Sequence, residues 1–244
     1  MGMDKSPSAL LLPLRAQELL LQHPDLDDFL ESVAVLFTRQ LSQWKVSGVS
    51  LMIVRPRRQP LHVATSSGLA ELQQGADGEN PVRLVLASGV PAVVRDMETE
   101  TRWGGYPDAA LGRGVAAAAA VPVPLPAPDT AAAVLTGYSG SPGAFGPEAV
   151  RAVETAAEDL AAPLALALRL DTQTHRANNL QAALESRTVV DLAAGIIMAQ
   201  NNCSQQSAIE ILRSVSNSRN VKVRDVAAGV VAVVSDRVST HFEE

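Results

Sequence analysis

The 244 residues are 47% hydrophobic but only 3% aromatic, enough for two domains at roughly 100–200 residues each, with cores that must be built from Ala, Val and Leu. A single cysteine, Cys203, excludes an internal disulfide; no apolar run reaches about 18 residues, and the stretch 9–14, interrupted by Pro13, is too short for a cleavable leader, so a cytoplasmic protein without a membrane span is expected. The net charge of −6 argues weakly against nucleic-acid binding by the chain taken whole.

Residues 1–25 are expected to form an N-terminal tail, disordered over the polar, Pro- and Gly-containing residues 1–8. An amphipathic helix is predicted over 25–44: Pro24 blocks extension backwards and Asp25 can cap it. Leu26, Phe29, Leu30, Val33, Phe37 and Leu41 recur there every three or four residues. Residues 48–55 (GVSLMIVR) read as a buried strand, 56–60 as a basic turn and 61–66 as a returning strand. Arg55, Arg57 and Arg58 beside that turn read as solubilising edge charges. Residues 67–80 are loop-like, with one helical turn around 69–73. A helix is predicted over 81–88, opened by Pro81 in its first turn and ended by Gly89. A strand follows at 92–95, then a loop-and-helix region over 96–114 containing Trp103. Propensity alone makes 116–120 helical, but the run continues into Val121-Pro122-Val123-Pro124, where two prolines forbid a helix interior. A strand is predicted instead, paired to residues 131–139 across a turn at 126–130.

This order resembles a GAF domain, the small α+β sensory module. The carrying residues are Gly48-Val49-Ser50-Leu51, Ala87-Ser88-Gly89-x-Pro91, Val94-x-Asp96, Thr101-Arg102-Trp103, Val121-Pro122-Val123 and Ser141-Pro142-Gly143-Ala144-Phe145, spanning roughly 26–170. The resemblance implies an antiparallel sheet with flanking helices and a small-molecule ligand between the sheet and the 67–112 loops. Arg102, Trp103 and Tyr106 are the best lining candidates, since amphipathic rings suit pockets. Many related domains carry Gly-Pro-Cys near Asn80-Pro81-Val82; the missing thiol argues against thiol-based sensing there.

Pro147 and Glu148 start the next helix. Val150, Val153, Ala157, Leu160 and Leu164 form its stripe, and Pro163 is expected to kink it. The helix continues through Leu170 and Gln173 towards Leu180 and Leu184. Residues 171–183 form a helical linker whose polar spacing is equally compatible with a bend. The stripes suggest a parallel homodimer through 26–44 and 147–190.

Residues 184–238 divide into three short helices. In the first, starting near Leu180, Val189, Ala193 and Ile196 lie beside Val190, Ala194 and Ile197, a stripe wider than one buried face needs. Gly195 in its middle costs about 1 kcal/mol against Ala and points to close approach by a neighbouring helix or a ligand. Ser204 can cap a second helix over 205–215 carrying Ala208, Ile211, Leu212 and Val215; residues 216–220 have turn chemistry. The third carries Val223, Val226, Ala227, Val230 and Val234. Residues 176–244 hold 7 Lys+Arg and 7 Asp+Glu, leaving 13 and 19 for residues 1–175. Within 213–224 stand Arg213, Arg219, Lys222 and Arg224 and no acid.

This part resembles the ANTAR domain, a three-helix RNA-binding module of bacterial transcription antiterminators. The matching residues are Ala183-Leu184-x-Ser186-Arg187-x-Val189-Val190, Ala193-x-Gly195-Ile196-Ile197-Met198, Cys203-Ser204, Ala208-Ile209-x-Ile211-Leu212-Arg213-x-x-Ser216 and Asn220-x-Lys222-x-Arg224-Asp225-Val226-Ala227. The resemblance implies a partner RNA of paired short hairpins, its loop bases read on their edges while cations hold phosphates. Arg213, Arg219, Lys222 and Arg224 would supply the cations. Gly195 and Met198 would admit or pack a base, and Asn220 would read an edge or cap the third helix. Ala194 stands where the family often has Lys, which removes one phosphate contact. Two alternatives stay open: a DNA-binding regulator, against which the charges crowd a turn rather than a helix face, and a dimeric scaffold without RNA binding.

Catalytic constellations are absent from the pattern. His23, His62, His175 and His241 are scattered, no two at metal spacing, and Cys203 has no neighbouring ligand. The glycines of 137–146 lack the Lys of a phosphate loop. His62 reads as a structural strand residue. Neither an enzyme nor a cofactor is expected.

Overall fold

Five antiparallel strands frame the N-terminal part of the computed structural model, which describes residues 11–23, 25–74, 78–126 and 131–239. The expectations for residues 1–8, for Pro24, for His241 and for most of the turn at 126–130 lie outside the described residues. The chain divides into two compact units, 1–171 and 172–244.

In the first unit the strands are β1 (Gly48–Val54), β2 (Leu61–Ala64), β3 (Ala92–Val94), β4 (Ala117–Val123) and β5 (Ala132–Ser139), in the order β2-β1-β5-β4-β3. β5 is central and pairs with β1 and β4 along its whole length. Successive residues of a strand point to opposite faces. On one face, Val49, Leu51, Ile53, Ala119, Val121 and Leu135 pack against α2 (Leu26–Leu41) and the start of α6 (Pro147–Asn201). The other face is covered by α3 (Ser67–Gln74), α4 (Pro81–Ser88) and α5 (Tyr106–Leu111). Ala117, Ala118, Ala119 and Ala120 are all fully buried, because helices cover both faces and leave room only for small side chains. Pro122 is tolerated because β3 pairs with β4 only at Ala118, Ala119 and Ala120, so that side of β4 has no ladder at Pro122. Packing is tight at Gly137: a Cβ there would stand 3.3 Å from the Phe145 ring.

Local chemistry explains most boundaries. The Asp25 carboxylate accepts from the Asp27 N–H at 2.9 Å and opens α2. Asn80 accepts from the Arg83 N–H at 2.9 Å, and Gly89, at φ 68°, closes α4. α3 is longer than the single turn expected. The expected tail is corrected in part: Leu11–Gln22 form a helix, α1. Its Ala16 is fully buried, and Leu19 and Leu20 pack against the main core. Pro13 lies in its first turn, where its missing N–H costs nothing.

α6 is a single 55-residue helix that passes through Pro163 and the expected linker. The stripes assigned to a dimer seam are spent inside the first unit: Phe29, Val33 and Phe37 of α2 and Val153, Leu160 and Leu164 of α6 share one core. The large apolar side chains that α6 leaves exposed are Leu166, Leu170, Leu180, Leu184 and Leu192. The arginines at the β1–β2 turn are more than edge charges. Arg55 and Arg58 donate from Nη1 to Asp171 Oδ2 at 2.9 and 2.6 Å, with the Arg55 and Asp171 side chains only 15% and 14% exposed. They fasten the hairpin to α6.

In the second unit the end of α6 packs with α7 (Gln205–Arg219) and α8 (Val223–Ser239). Ala193, Ala194, Ile197, Ala208, Leu212 and Ala227 form the buried centre, with Val190, Met198, Val226 and Val230 around it. Ser204 caps α7 by accepting from the Ser207 N–H at 3.2 Å. α7 runs four residues beyond the predicted Val215, because Ser216 faces inward, 7% exposed, and its hydroxyl donates to the Val221 carbonyl at 2.6 Å.

Asp171→Asn is expected to lower the stability of the first unit by about 1–3 kcal/mol, the usual worth of hydrogen bonds to a charged group. Urea unfolding of the full chain measures it, and the loss should shrink in high salt.

Candidate functional site

The turn between α7 and α8 is held by backbone hydrogen bonds. Asn220 sits in the left-handed region at φ 52°. Its N–H donates to the Asn217 carbonyl at 3.4 Å, and the Val221 N–H donates to the Ser216 carbonyl at 3.2 Å. That pair closes the helix as a Schellman motif. Asn220 therefore caps the end of α7 rather than the start of α8. The Lys222 carbonyl accepts from the Asp225 and Val226 N–H groups and starts α8. Around this fixed turn the side chains of Arg219, Lys222 and Arg224 are exposed. Arg224 Nε stands 3.5 Å from Asp225 Oδ1, both about half exposed, so that pairing is weak.

Arg213 stands apart. Six residues along α7 turn it about 120° away from Arg219. It lines a shallow recess with Gln205, Gln206, Ile209 and Glu210. Arg219 lines a groove of about 630 Å³ with Ile211, Val221, Val226 and Val233. The structure thus gathers three of the four expected cations around the turn and sets the fourth on another side of α7.

In the first unit, Arg102, Trp103 and Tyr106 do come together, lining a recess of about 370 Å³ with Glu71, Leu72 and Arg113. The Arg102 guanidinium lies 4.1 Å from the Trp103 ring centroid. It donates from Nε and Nη2 to the two Glu100 carboxylate oxygens at 2.9 and 2.6 Å, and from Nη2 to the Val93 carbonyl. The Arg102 hydrogen bonds hold the Glu100 carboxyl down at about 2. Paired in this way, Arg102 roofs Trp103 and its charge is offset by Glu100.

Behind this recess is a polar cluster that the motifs did not reveal. Ser50, Thr136 and Tyr138 are fully buried, and Gln73 and Tyr106 nearly so. The Ser50 and Tyr138 hydroxyls are 3.1 Å apart. Gln73 Nε2 donates to both at 2.5 Å, a separation more usual between two oxygens. With its carboxamide oxygen facing the hydroxyls instead, the amide NH₂ turns towards His62. The signal in the sequence was alternation: Ser50, Thr136 and Tyr138 fall at every-second positions of otherwise apolar strands. Burial pushes the His62 pKa down. Burial, with the Tyr138 hydroxyl close by, pushes Tyr106 well above the ordinary phenol range.

Residues 178–231 match the family model of the ANTAR domain. The chain carries an ANTAR domain. No protein of curated function matches the chain. Among solved structures it is similar to the N-acylhomoserine-lactone-dependent LuxR-family factor CepR2 of Burkholderia cenocepacia, at 11% identity and a TM-score of 0.49 over 66% of this chain and 96% of that one. It is also similar to the third GAF domain of Slr1393 from Synechocystis, at 16% identity and a TM-score of 0.47 over 61% of this chain and 98% of that one. A third is the GAF domain of an Acinetobacter phosphoenolpyruvate-protein phosphotransferase, at 16% and 0.45 over 69% and 99%.

Within the ANTAR domain two expectations change. Gly195 is not a point of close helix approach: a Cβ built there meets nothing within 4 Å. Ala194 is 1% exposed in the bundle centre, so a Lys at this position would have to run its stem along packed helices to reach a phosphate. Met198 is half-buried against the same core.

Gly195→Ala should stabilise the ANTAR helix by about 0.5–1 kcal/mol, read from thermal unfolding. The His62 shift has a definite sign. Below 6.5 the unfolded chain takes up a proton that the folded imidazole resists, so stability falls as the pH drops through that value. His62→Leu should flatten that part of a stability-against-pH curve.

Proposed function

We propose that this chain is an RNA-binding regulator of transcription antitermination, its ANTAR domain taking paired short hairpins and its first unit acting as a GAF-like sensor of a small molecule. The observation that carries the reading is the fixed turn with Arg219, Lys222 and Arg224 exposed around it. Three cations on a rigid frame can grip phosphates of a hairpin while its unstacked loop bases are read on their edges. Residues 176–244 as a whole are neutral, so attraction acts only near the turn, within a screening length of about 8 Å at physiological salt. Exposed Gly195 offers a backbone surface that a base can approach without meeting a side chain.

Two hairpins call for two copies of the domain. Four of the five exposed leucines of α6 support a homodimer: Leu166, Leu170, Leu180 and Leu184 fit alternating steps of four and three, with Gln173 and Ala177 at the intervening positions, while Leu192 falls off that spacing. That is the spacing of a coiled-coil seam. Joining two RNA-binding domains raises avidity for a paired target without any new contact.

A mobility-shift assay with two-hairpin RNA against duplex DNA tests the function; a preference for the DNA would overturn it. With three or four phosphate contacts, log K should fall with log salt at a slope of roughly −2 to −3. Lys222→Ala should make that slope shallower by about 0.7. Gly195→Ala should weaken RNA binding while raising stability, a pairing that a purely structural glycine would not produce. Leu180→Asp with Leu184→Asp should leave a monomer in sedimentation and reduce affinity for two hairpins to that for one.

A further inference from the structure

Resting on the sensor reading of the first unit, we infer that the polar cluster of Ser50, His62, Gln73, Tyr106, Thr136 and Tyr138 is the recognition end of the ligand site, and that it takes an uncharged hydroxyl- or amide-bearing molecule rather than an anion.

The cluster lies on the helix-covered face of the sheet that α3, α4 and α5 close. Thr136 sits on β5 between Val134 and Tyr138, and its cross-strand partner is Ser50. Val134 belongs to one apolar cluster and Tyr138 to another, so the polar groups mark the seam between two hydrophobic halves. Several have no hydrogen-bond partner: the Tyr106 and Thr136 hydroxyls, Gln73 Oε1 and both ring nitrogens of His62. Turning the Gln73 amide settles its own oxygen and one ring nitrogen. The two hydroxyls have only the Tyr138 hydroxyl beside them, and Ser50 and Gln73 already engage it. Buried polar groups left this way are costly, and here they converge on one small volume. Tyr106 connects the seam to the outside, because it also lines the recess under Trp103.

The charge class follows from what surrounds the seam. Its six residues are neutral hydroxyl, amide and imidazole groups. The Arg102 guanidinium on the recess is charge-paired with Glu100 and also holds the Val93 carbonyl. Arg113 stands 3.4 Å from Glu71, and Glu79 also lines the recess. An anion entering here would lose its hydration and meet, among the described residues lining the recess, only cations already paired with acids. A neutral molecule with both donor and acceptor atoms would satisfy the two hydroxyls and the imidazole.

Isosteric pairs separate these classes. The full chain is melted with benzamide, nicotinamide and acetamide, each beside its carboxylate counterpart benzoate, nicotinate or acetate at equal concentration. An amide is expected to raise the melting temperature of the first unit by about 3–5 °C for each tenfold excess over its Kd, while its carboxylate leaves it unchanged. In Thr136→Val and Tyr106→Phe the ligand-induced shift should vanish, while the ligand-free melting temperature stays level or rises. A carboxylate that matches its amide, the absence of a shift with all three amides, or a Thr136→Val chain that melts lower yet keeps the full amide shift would each overturn the inference. The last outcome would show a hydroxyl satisfied by internal water. RNA binding measured on the same preparations keeps the failures apart: loss of RNA binding by the unmutated chain counts against the proposed function, loss of amide binding against this site.

Discussion

The pairing of β5 with strands on both sides is the constraint on which the first unit depends. Seven residues of β1 and seven of β4 take partners from it, so every side chain of β5 is committed to one face or the other. One face carries Ala133 and Leu135 into the main core with α2 and α6. The other carries Val134, Thr136 and Tyr138 beneath α3, α4 and α5. A one-residue slip would exchange these two sets, burying the hydroxyls in the apolar core and presenting Leu135 to the seam. Register and polar seam are therefore one fact seen from two sides.

The ANTAR domain solves a different problem with little material. Its core is largely alanine and valine, which bury little area each but let helix backbones come close. A core of short side chains leaves the connecting turns to fix geometry, and the α7–α8 turn does so with backbone hydrogen bonds and the inward hydroxyl of Ser216. Cations placed around such a turn keep their spacing without contributing to the core. Electrostatics and packing are thus separable here, as they would not be if the charges lay along a buried helix face.

The strands, the helix caps at Asp25 and Ser204, the Pro81 start and Gly89 stop of α4, and the C-terminal helices were legible because each rests on local chemistry: a period, a cap, a glycine stop. The tetra-alanine strand was legible only through Pro122 and Pro124, which overruled propensity. α1 was not, since Pro13 looks the same whether it breaks a helix or opens one. The extra turn of α7 depended on Ser216 facing inward, a tertiary outcome that a run of Ser, Asn and Arg conceals. The split of Arg213 from Arg219 needed the helix to continue between them. The polar seam shows the limit most clearly: Ser50, Gln73 and Thr136 are unremarkable singly and gain meaning only when β1, α3 and β5 meet. Asp171 likewise pairs with arginines more than a hundred residues earlier.

That last pairing bears on how a bound molecule could have an effect. Ser50 and His62 belong to the two strands of the β1–β2 hairpin, and the hairpin's far end is fastened to α6 by Arg55 and Arg58 on Asp171. A ligand held by the seam acts on the same rigid ribbon that grips the helix. Tight binding alone would change nothing; a ligand biases an equilibrium only by its difference in affinity between two arrangements. The partly buried ion pair supplies one of those arrangements with a definite geometry, because two guanidinium groups converge on a single carboxylate oxygen. A small displacement of the hairpin would lengthen both contacts together. The β1–β2 ribbon therefore carries both residues of the polar seam and the arginines that hold Asp171 of α6.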